Sequence, residues 1–260
     1  MPTPASDPQP APPHDGGAAN RRAALGTVDY YDALWRELGA TLEHDDLLRV
    51  EAIGAALAGL PLPSGATLLD LGCGRGWMAP ELARFARVTG LDFAPQGIAQ
   101  ARRDHGAHGE FLLAAADAPR WGLPPTARFD AVVCSEVIEH VADPVAFLTE
   151  VADLLAPSGW LVLTTPNGAA RARYHALHAD EHWQQPIERW LTRPELRESL
   201  ATAGFAVARD HGVGFAWRLP GLRGYRLVDR MVRGLGLYPA VCRGLRAWAL
   251  YQVVVAQRRA

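Results

Sequence analysis

Asp70-Leu71-Gly72-Cys73-Gly74-Arg75-Gly76 decides the fold. The stretch closes an apolar segment, residues 66–71, that reads as a strand, and it opens a helical segment reaching to about residue 86. Glycine at 72 and 74 permits positive φ and lets a ligand approach the backbone closely. Asp92 ends a second apolar strand, residues 87–91, twenty-two residues after Asp70. A ribose-binding acid is expected at that place in a nucleotide crevice. A dinucleotide fingerprint starting at Gly72 needs its third glycine at position 77, where Trp77 stands. An aspartate just ahead of the loop would also repel a pyrophosphate. It suits a ligand that presents a cationic group.

Working outward, helical and strand patterns alternate. Residues 95–104 read as a helix, and 111–115 and 129–134 as the third and fourth strands. Asp143-Pro144 supplies an N-cap and a proline at the first helical position, ahead of the stripe Phe147, Leu148, Val151, Leu154 and Leu155. Residues 160–164 read as a fifth strand. Thr192-Arg193-Pro194-Glu195 is a capping box opening a helix to about residue 203. Residues 204–209 and 247–256 read as two late strands. Ahead of the loop lie two helices, 28–38 and 43–59, the second with Leu47, Leu48, Ile53, Leu57 and Leu60. Such alternation predicts an α/β fold, a mostly parallel sheet with helices on both faces.

The 260 residues are 49% hydrophobic, enough for a sizeable core. All 26 basic residues are Arg. Without Lys there is neither a Schiff-base nor a P-loop lysine. The net charge of −2 conceals an asymmetry: residues 211–260 hold nine Arg and one acid, Asp229. Three cysteines are too few for a disulfide framework or a zinc site. No apolar run reaches the roughly 18 residues of a membrane span. The start of the chain lacks a signal-peptide pattern, so the expected location is cytoplasmic. Proline-rich residues 1–26 are expected to be disordered, with one domain over 27–260 carrying a basic helical insertion at about 212–246.

Residues 66–165 resemble a class I S-adenosylmethionine-dependent methyltransferase. Leu68–Gly76 is similar to the family's first motif, Val88-Thr89-Gly90-Leu91-Asp92 to its second-strand acid, Asp117-Ala118 to its adenine-binding acid, and Phe129–Cys134 to its fourth strand. The resemblance implies a Rossmann-like seven-stranded sheet whose last strand is antiparallel. It also implies roles. Gly72, Cys73 and Gly74 would face the methionine moiety, with Asp70 supporting the loop. Asp92 would accept from both ribose hydroxyls, Phe93 would pack on the adenine, and Asp117 would accept from its amino group. Ala118 and Ser135 fall in the cofactor-contacting segments. Tyr30 and Tyr31 either cap the cofactor or serve as core aromatics.

Ser135-Glu136-Val137-Ile138-Glu139-His140-Val141 follows the fourth strand. If it turns helically, Glu136, Glu139 and His140 share one face. Two carboxylates and an imidazole could hold a divalent ion such as Mg. The segment resembles that of two branches of the family, the ubiquinone-pathway O-methyltransferases and the small-RNA 3′-end 2′-O-methyltransferases. Metal-dependent members carry a later histidine, for which His182 is the candidate, with His175 and His178 nearby. Three readings stand: a metal held by Glu136, Glu139, His140 and His182 that polarises a hydroxyl; His140 as a general base without metal; or Glu136 at the cofactor edge with Glu139 and His140 bonding the loop. The catalytic candidates are His140, Glu136 and His182.

The expected function is methyl transfer to a small-molecule hydroxyl, on a lipophilic, quinol-like, natural-product or sugar acceptor. RNA 2′-O-methylation and a non-catalytic cofactor-binding regulator are the alternatives. In the insertion, Leu222, Tyr225, Val228, Met231, Val232 and Leu235 form an apolar stripe beside Arg223, Arg226, Arg230 and Arg233. The readings are a packed lid helix, peripheral membrane contact through 222–237, or a nucleic-acid backbone. Trp217 and Tyr225 alone offer little stacking for RNA.

Overall fold

The computed structural model describes residue 20 and residues 27–37, 44–172, 186–215, 231–232, 234–245 and 247–259. Helices α1 (Val28–Glu37) and α2 (His44–Ala58) precede the sheet. There follow β1 (Thr67–Leu71), α3 (Ala79–Leu82), β2 (Arg87–Asp92), α4 (Pro95–His105), β3 (Gly109–Leu113) and β4 (Phe129–Ser135). Then come α5 (Pro144–Leu154), β5 (Leu155–Pro166), α6 (Arg193–Thr202), β6 (Phe205–Phe215), α7 (Tyr238–Gly244) and β7 (Ala249–Arg258).

These strands form one seven-stranded sheet in the order β3-β2-β1-β4-β5-β7-β6. β1 pairs parallel with both β2 and β4, and β7 runs antiparallel to β5 and β6. The expected architecture holds, antiparallel last strand included. Successive strand residues point to opposite faces, and the two cores show it. Leu69 and Val132 pack with Leu148 and Leu200 on the face covered by α5 and α6. Leu68 and Val133 pack with Ile53 and Ile98 on the face covered by α2 and α4. Burial on both faces explains why these strands read as continuous apolar runs.

The chain leaves β1 toward β2 on one side and reaches β4 on the other, so the strand order reverses between β1 and β4. A crevice opens outside the carboxyl ends of the strands at such a switch point. The capping signals hold as read. Asp143 Oδ1 accepts from the N–H groups of Val145 and Ala146 at 3.0 Å each. The Glu195 carboxylate accepts from the Thr192 N–H at 2.7 Å.

Several boundaries differ from the expectation. β6 runs to Phe215 rather than 209, because its residues beyond 209 find backbone partners in β7 as far as Ala249. β5 starts at Leu155 rather than 160, and β3 two residues earlier than read. α3 spans only four residues; the backbone then closes short i→i−3 bonds from Arg84 and Phe85. Leu47 is 52% exposed, and α2 buries Leu48, Ala52, Ile53, Ala56 and Leu57 instead. Within the expected disordered segment, Asn20 is placed: its amide and the backbone of Asp143 exchange two hydrogen bonds, 2.8 and 2.6 Å. The basic stripe Arg223, Arg226, Arg230 and Arg233 and the residues Leu222, Tyr225 and Val228 lie outside the described residues, as does His182. Met231, Leu235, Leu237 and Trp248 are exposed. α7 packs Cys242 against Val213, Leu250 and Tyr251.

Candidate functional site

The glycine loop turns with φ of +78° at Gly72 and +52° at Gly74, values that favour glycine. A Cβ on Gly72 would lie 2.3 Å from the Val137 side chain, and one on Gly74 2.6 Å from the Trp35 ring. The loop is thus wedged between the segment after β4 and the N-terminal helix. Its anchor is Asp92. One carboxylate oxygen accepts from the Gly74 N–H and the other from the Ala94 N–H, both at 2.8 Å. Each oxygen keeps a second acceptor site for a ligand hydroxyl. Burial raises the Asp92 carboxyl, against the opposing pull of these backbone bonds.

Asp70 lies buried at the end of β1, and its Oδ2 has no hydrogen-bond partner among the described residues. Burial, then the charge of Asp92, pushes its carboxyl up to about 7. A buried carboxylate oxygen left unpaired is a place where a cationic ligand group would be welcome. Cys73 turns the other way: its side chain joins the core of Leu68 and Phe111, and burial raises its thiol.

In the folded chain a raised carboxyl binds its proton more tightly than in the unfolded chain. Stability therefore falls as pH rises from the unfolded value near 4 toward 7. The ligand-free protein should lose about 4 kcal/mol more across that window than Asp70→Asn does. Urea unfolding at several pH values checks this, and equal pH slopes for the two proteins would contradict it.

A cleft of about 990 Å³, open mouth included, lies over the carboxyl ends of the strands. After β2 and β3 its wall is Asp92, Phe93, Ala114, Ala116 and Trp121; after β4 it is Glu136, Val137, His140 and Val141. Asp117 is exposed, and neither it nor Ala118 lines this cleft. Trp121 takes their side of the wall, held by an unusual turn: φ is 54° at Arg120 and 52° at Trp121. The Arg120 guanidinium steadies the turn on the carbonyls of Ala127 (2.8 Å) and Asp153 (3.0 Å), and the Trp121 ring meets Phe147 edge-on at 5.6 Å.

The segment after β4 is not an α-helix. The Glu136 N–H continues the ladder to the Thr164 carbonyl, its φ is 56°, and a single 3₁₀ turn follows at Ile138–His140. The assumed helical face for Glu136, Glu139 and His140 therefore does not form. What forms is a hydrogen-bond chain. The Thr164 hydroxyl donates to Glu136 Oε1 (3.0 Å), so the Ser135 hydroxyl, 2.8 Å away, donates to Thr164. Glu139 is buried; Oε2 accepts from the Thr165 hydroxyl at 2.9 Å, and Oε1 lies 3.8 Å from His140 Nε2. Burial is the main cause that raises both carboxyls, Glu136 to about 8 and Glu139 to about 7.

His140 Nδ1 lies 2.7 Å from the Ile187 carbonyl. A carbonyl only accepts, so Nδ1 carries the proton and Nε2 holds the lone pair in the neutral ring. Burial lowers the imidazole pKa, offset in part by Ile187, Glu136 and Glu188. Among the described residues no group of three or more His, Cys, Asp or Glu is arranged to hold a metal ion. Glu136, Glu139 and His140 each spend one polar atom on Thr164, Thr165 and Ile187 respectively. His182, His175 and His178 lie outside the described residues.

Arg49, on α2, went unread in the sequence. It pairs with Asp46, lies 3.9 Å from Glu136 Oε2 and stacks 5.0 Å over the Tyr251 ring. Burial would lower its pKa, but Glu136, Tyr251, Asp46 and Asp45 together raise it. Its only sequence signal, an Asp46–Arg49 spacing of three, is that of an ordinary surface pair.

The profile of a methyltransferase-domain family matches residues 42–209. The chain belongs to this family, and within it to the class I S-adenosylmethionine-dependent methyltransferases, near the ubiquinone-pathway branch. It is 39% identical over 136 residues to a ubiquinone biosynthesis O-methyltransferase of Cereibacter sphaeroides, covering 51% of this chain and 53% of that one. With the enzyme of that name from Methylobacterium sp. it shares 36% over 162 residues, 58% and 64% of the two chains. The chain thus spans about half the length of the first curated relatives it matches. Among solved structures, it resembles a chain of the complex between the Haloferax volcanii Trm112 methyltransferase activator and its methyltransferase. That match has a TM-score of 0.62 and 21% identity, over 91% and 98% of the chains. It also resembles magnesium protoporphyrin IX methyltransferase of Synechocystis with bound SAH, with TM-score 0.58 and 17% identity over 91% and 99%. These two likenesses speak to the fold.

Proposed function

We propose that the chain methylates a hydroxyl of a small, lipophilic, quinol-like acceptor, with S-adenosylmethionine as methyl donor and His140 as general base. The observation that carries the chemistry is the fixed tautomer of His140, a residue of the cleft wall after β4 whose Nε2 keeps the lone pair. Bound between Gly72, Asp92 and Phe93, the cofactor would supply an electrophilic methyl group on a sulfonium centre. Asp92 would accept from the ribose hydroxyls, and buried Asp70 favours a cationic ligand nearby. His140 would draw the proton from an acceptor hydroxyl placed in line with the methyl, combining positioning with base catalysis.

The quinol-like acceptor is supported by the names of the curated relatives and by the aromatic, apolar character of the cleft. Peripheral contact with an anionic membrane is supported by exposed Met231, Leu235, Leu237 and Trp248 in an Arg-rich region. No helix among the described residues is long and apolar enough to cross a membrane. The proposed layout is a methyltransferase domain over 27–260.

Labelled-methyl transfer into quinol, sugar, lipid and RNA pools tests the reading. Label is expected in the quinol pool. Label in RNA would replace this reading with 2′-O-methylation. S-adenosylhomocysteine binding by calorimetry with no transfer to any pool would favour a non-catalytic regulator.

A further inference from the structure

We infer that Tyr31 is a positioning residue for His140, so that docking of α1 on the sheet completes the catalytic site. The inference rests on the reading of His140 as the base and goes beyond it by naming what aims the ring.

The bond to Ile187 settles which nitrogen of His140 carries the proton. The side-chain tether and that bond hold the Nδ1 edge of the imidazole, while Nε2 lies 3.8 Å from Glu139 Oε1, beyond hydrogen-bond distance, so a packing contact on the ring helps to aim it. Tyr31 supplies it: its ring meets the imidazole edge-on, centroids 5.9 Å apart at 65°. The Tyr31 ring also meets Phe93, 5.6 Å away at 71°, and Tyr30 braces it at 5.2 Å. Offset and edge-to-face ring pairs of this kind are mutually attractive. One aromatic ring therefore bridges the residue after β2 and the turn after β4.

The position of Tyr31 is set by the helix that carries it. Asp32 Oδ1 accepts from the Gln96 N–H at 2.7 Å, placing a carboxylate on the first turn of α4, where the helix dipole favours it. Gln100 Nε2 donates to the Trp35 carbonyl at 2.7 Å. Tyr31 and Trp35 are four residues apart and share a face. Both line the cleft, and the Trp35 ring occupies the space that a Cβ on Gly74 would need. A single helix thus seats one aromatic on the glycine loop and the other on the candidate base. The Tyr31 hydroxyl is held protonated by burial and by Glu139, so no phenolate charge acts on His140, and the contact to the imidazole is made by the ring.

Tyr31→Leu, Tyr31→Phe and Asp32→Ala in the full chain test the assignment. The readout that needs no acceptor is the His140 ring signal in ¹H–¹³C spectra of histidine-labelled protein bound to S-adenosylhomocysteine, assigned with His140→Gln. Tyr31→Leu is expected to move and broaden that signal, and Tyr31→Phe to leave it in place. Asp32→Ala, which loosens α1 but keeps the ring, should shift it in the same sense, and it serves if the leucine variant does not fold. With labelled quinol turnover, Tyr31→Leu should lower kcat roughly 10- to 100-fold, the range for a misplaced catalytic group, with phenylalanine restoring it.

A His140 signal unmoved in both Tyr31→Leu and Asp32→Ala overturns the proposal. So does loss of S-adenosylhomocysteine affinity with an unmoved signal, which would make Tyr31 a cofactor contact only. If His140→Gln itself keeps full turnover, the general-base reading fails, whatever Tyr31 does to the ring.

Discussion

His140→Gln is expected to lower the saturated rate of methyl transfer by roughly 10²- to 10⁴-fold, the range for losing a positioned general base. S-adenosylhomocysteine affinity should stay within a few-fold, because no cofactor contact is removed. Glutamine can still donate its amide N–H toward the Ile187 carbonyl, but it has no basic nitrogen. Neither neighbouring acid can substitute well. Burial holds the Glu136 and Glu139 carboxyls at about 8 and about 7, so near neutral pH they are substantially protonated. One oxygen of each is also taken up, by Thr164 and Thr165 respectively. The wild-type pH profile carries the same signature. The active form is the neutral imidazole, and burial lowers its pKa from the ordinary 6.5. Activity should therefore fall on an acidic limb below pH 6.5. Steady-state rates against pH check both points, and a glutamine variant with an undiminished rate would remove His140 from the chemistry.

The fold was legible because its determinants are local. The Gly72–Gly76 loop with Asp92 at the end of the next apolar run, the Asp143-Pro144 cap and the Thr192–Glu195 box each announce an element within a few residues. Where pairing partners decide, the reading fell short: β6 runs on to Phe215 only because β7 lies beside it. Glu136 shows a second limit. A positive φ on a glutamate leaves no trace in the sequence, so 135–140 reads as a helical turn when it is not one. The same holds for Arg120 and Trp121, whose left-handed turn puts an unanticipated indole on the cleft wall while Asp117 stays exposed. Arg49 hides behind its helical spacing to Asp46, since only the packed structure brings Glu136 and Tyr251 to it. The Ile187 carbonyl that sets the His140 tautomer comes from 47 residues away and belongs to the backbone, which a sequence cannot mark.

Asp92→Ala is expected to weaken S-adenosylhomocysteine binding by at least about 100-fold. This acid does two things at once, and alanine removes both. Its oxygens hold the Gly74 and Ala94 N–H groups at 2.8 Å each. Without them two amide donors lose their partners, each at a cost of about 1–3 kcal/mol where water does not reach it. The loop then loses the bond that shapes it around Gly72. The charge-assisted contact to ligand hydroxyls goes as well, about 1.5–3 kcal/mol for a bond to a charged group. A factor of 100 needs only about 2.7 kcal/mol, so either loss comes close to the expected effect. Asp92→Asn separates the two. The amide can accept on one oxygen only, and its NH₂ would face the other backbone N–H, donor against donor, so the loop should suffer nearly as much as in alanine. Asparagine also removes the charge that helps hold the Asp70 carboxyl up near 7, so the pH dependence of stability should weaken in Asp92→Asn as it does in Asp70→Asn. Calorimetry with S-adenosylhomocysteine and urea unfolding across pH measure these effects. Wild-type affinity in Asp92→Ala would mean that the cofactor does not sit on this loop. Weakened affinity with an unchanged pH slope would mean that Asp70 and Asp92 do not sense one another.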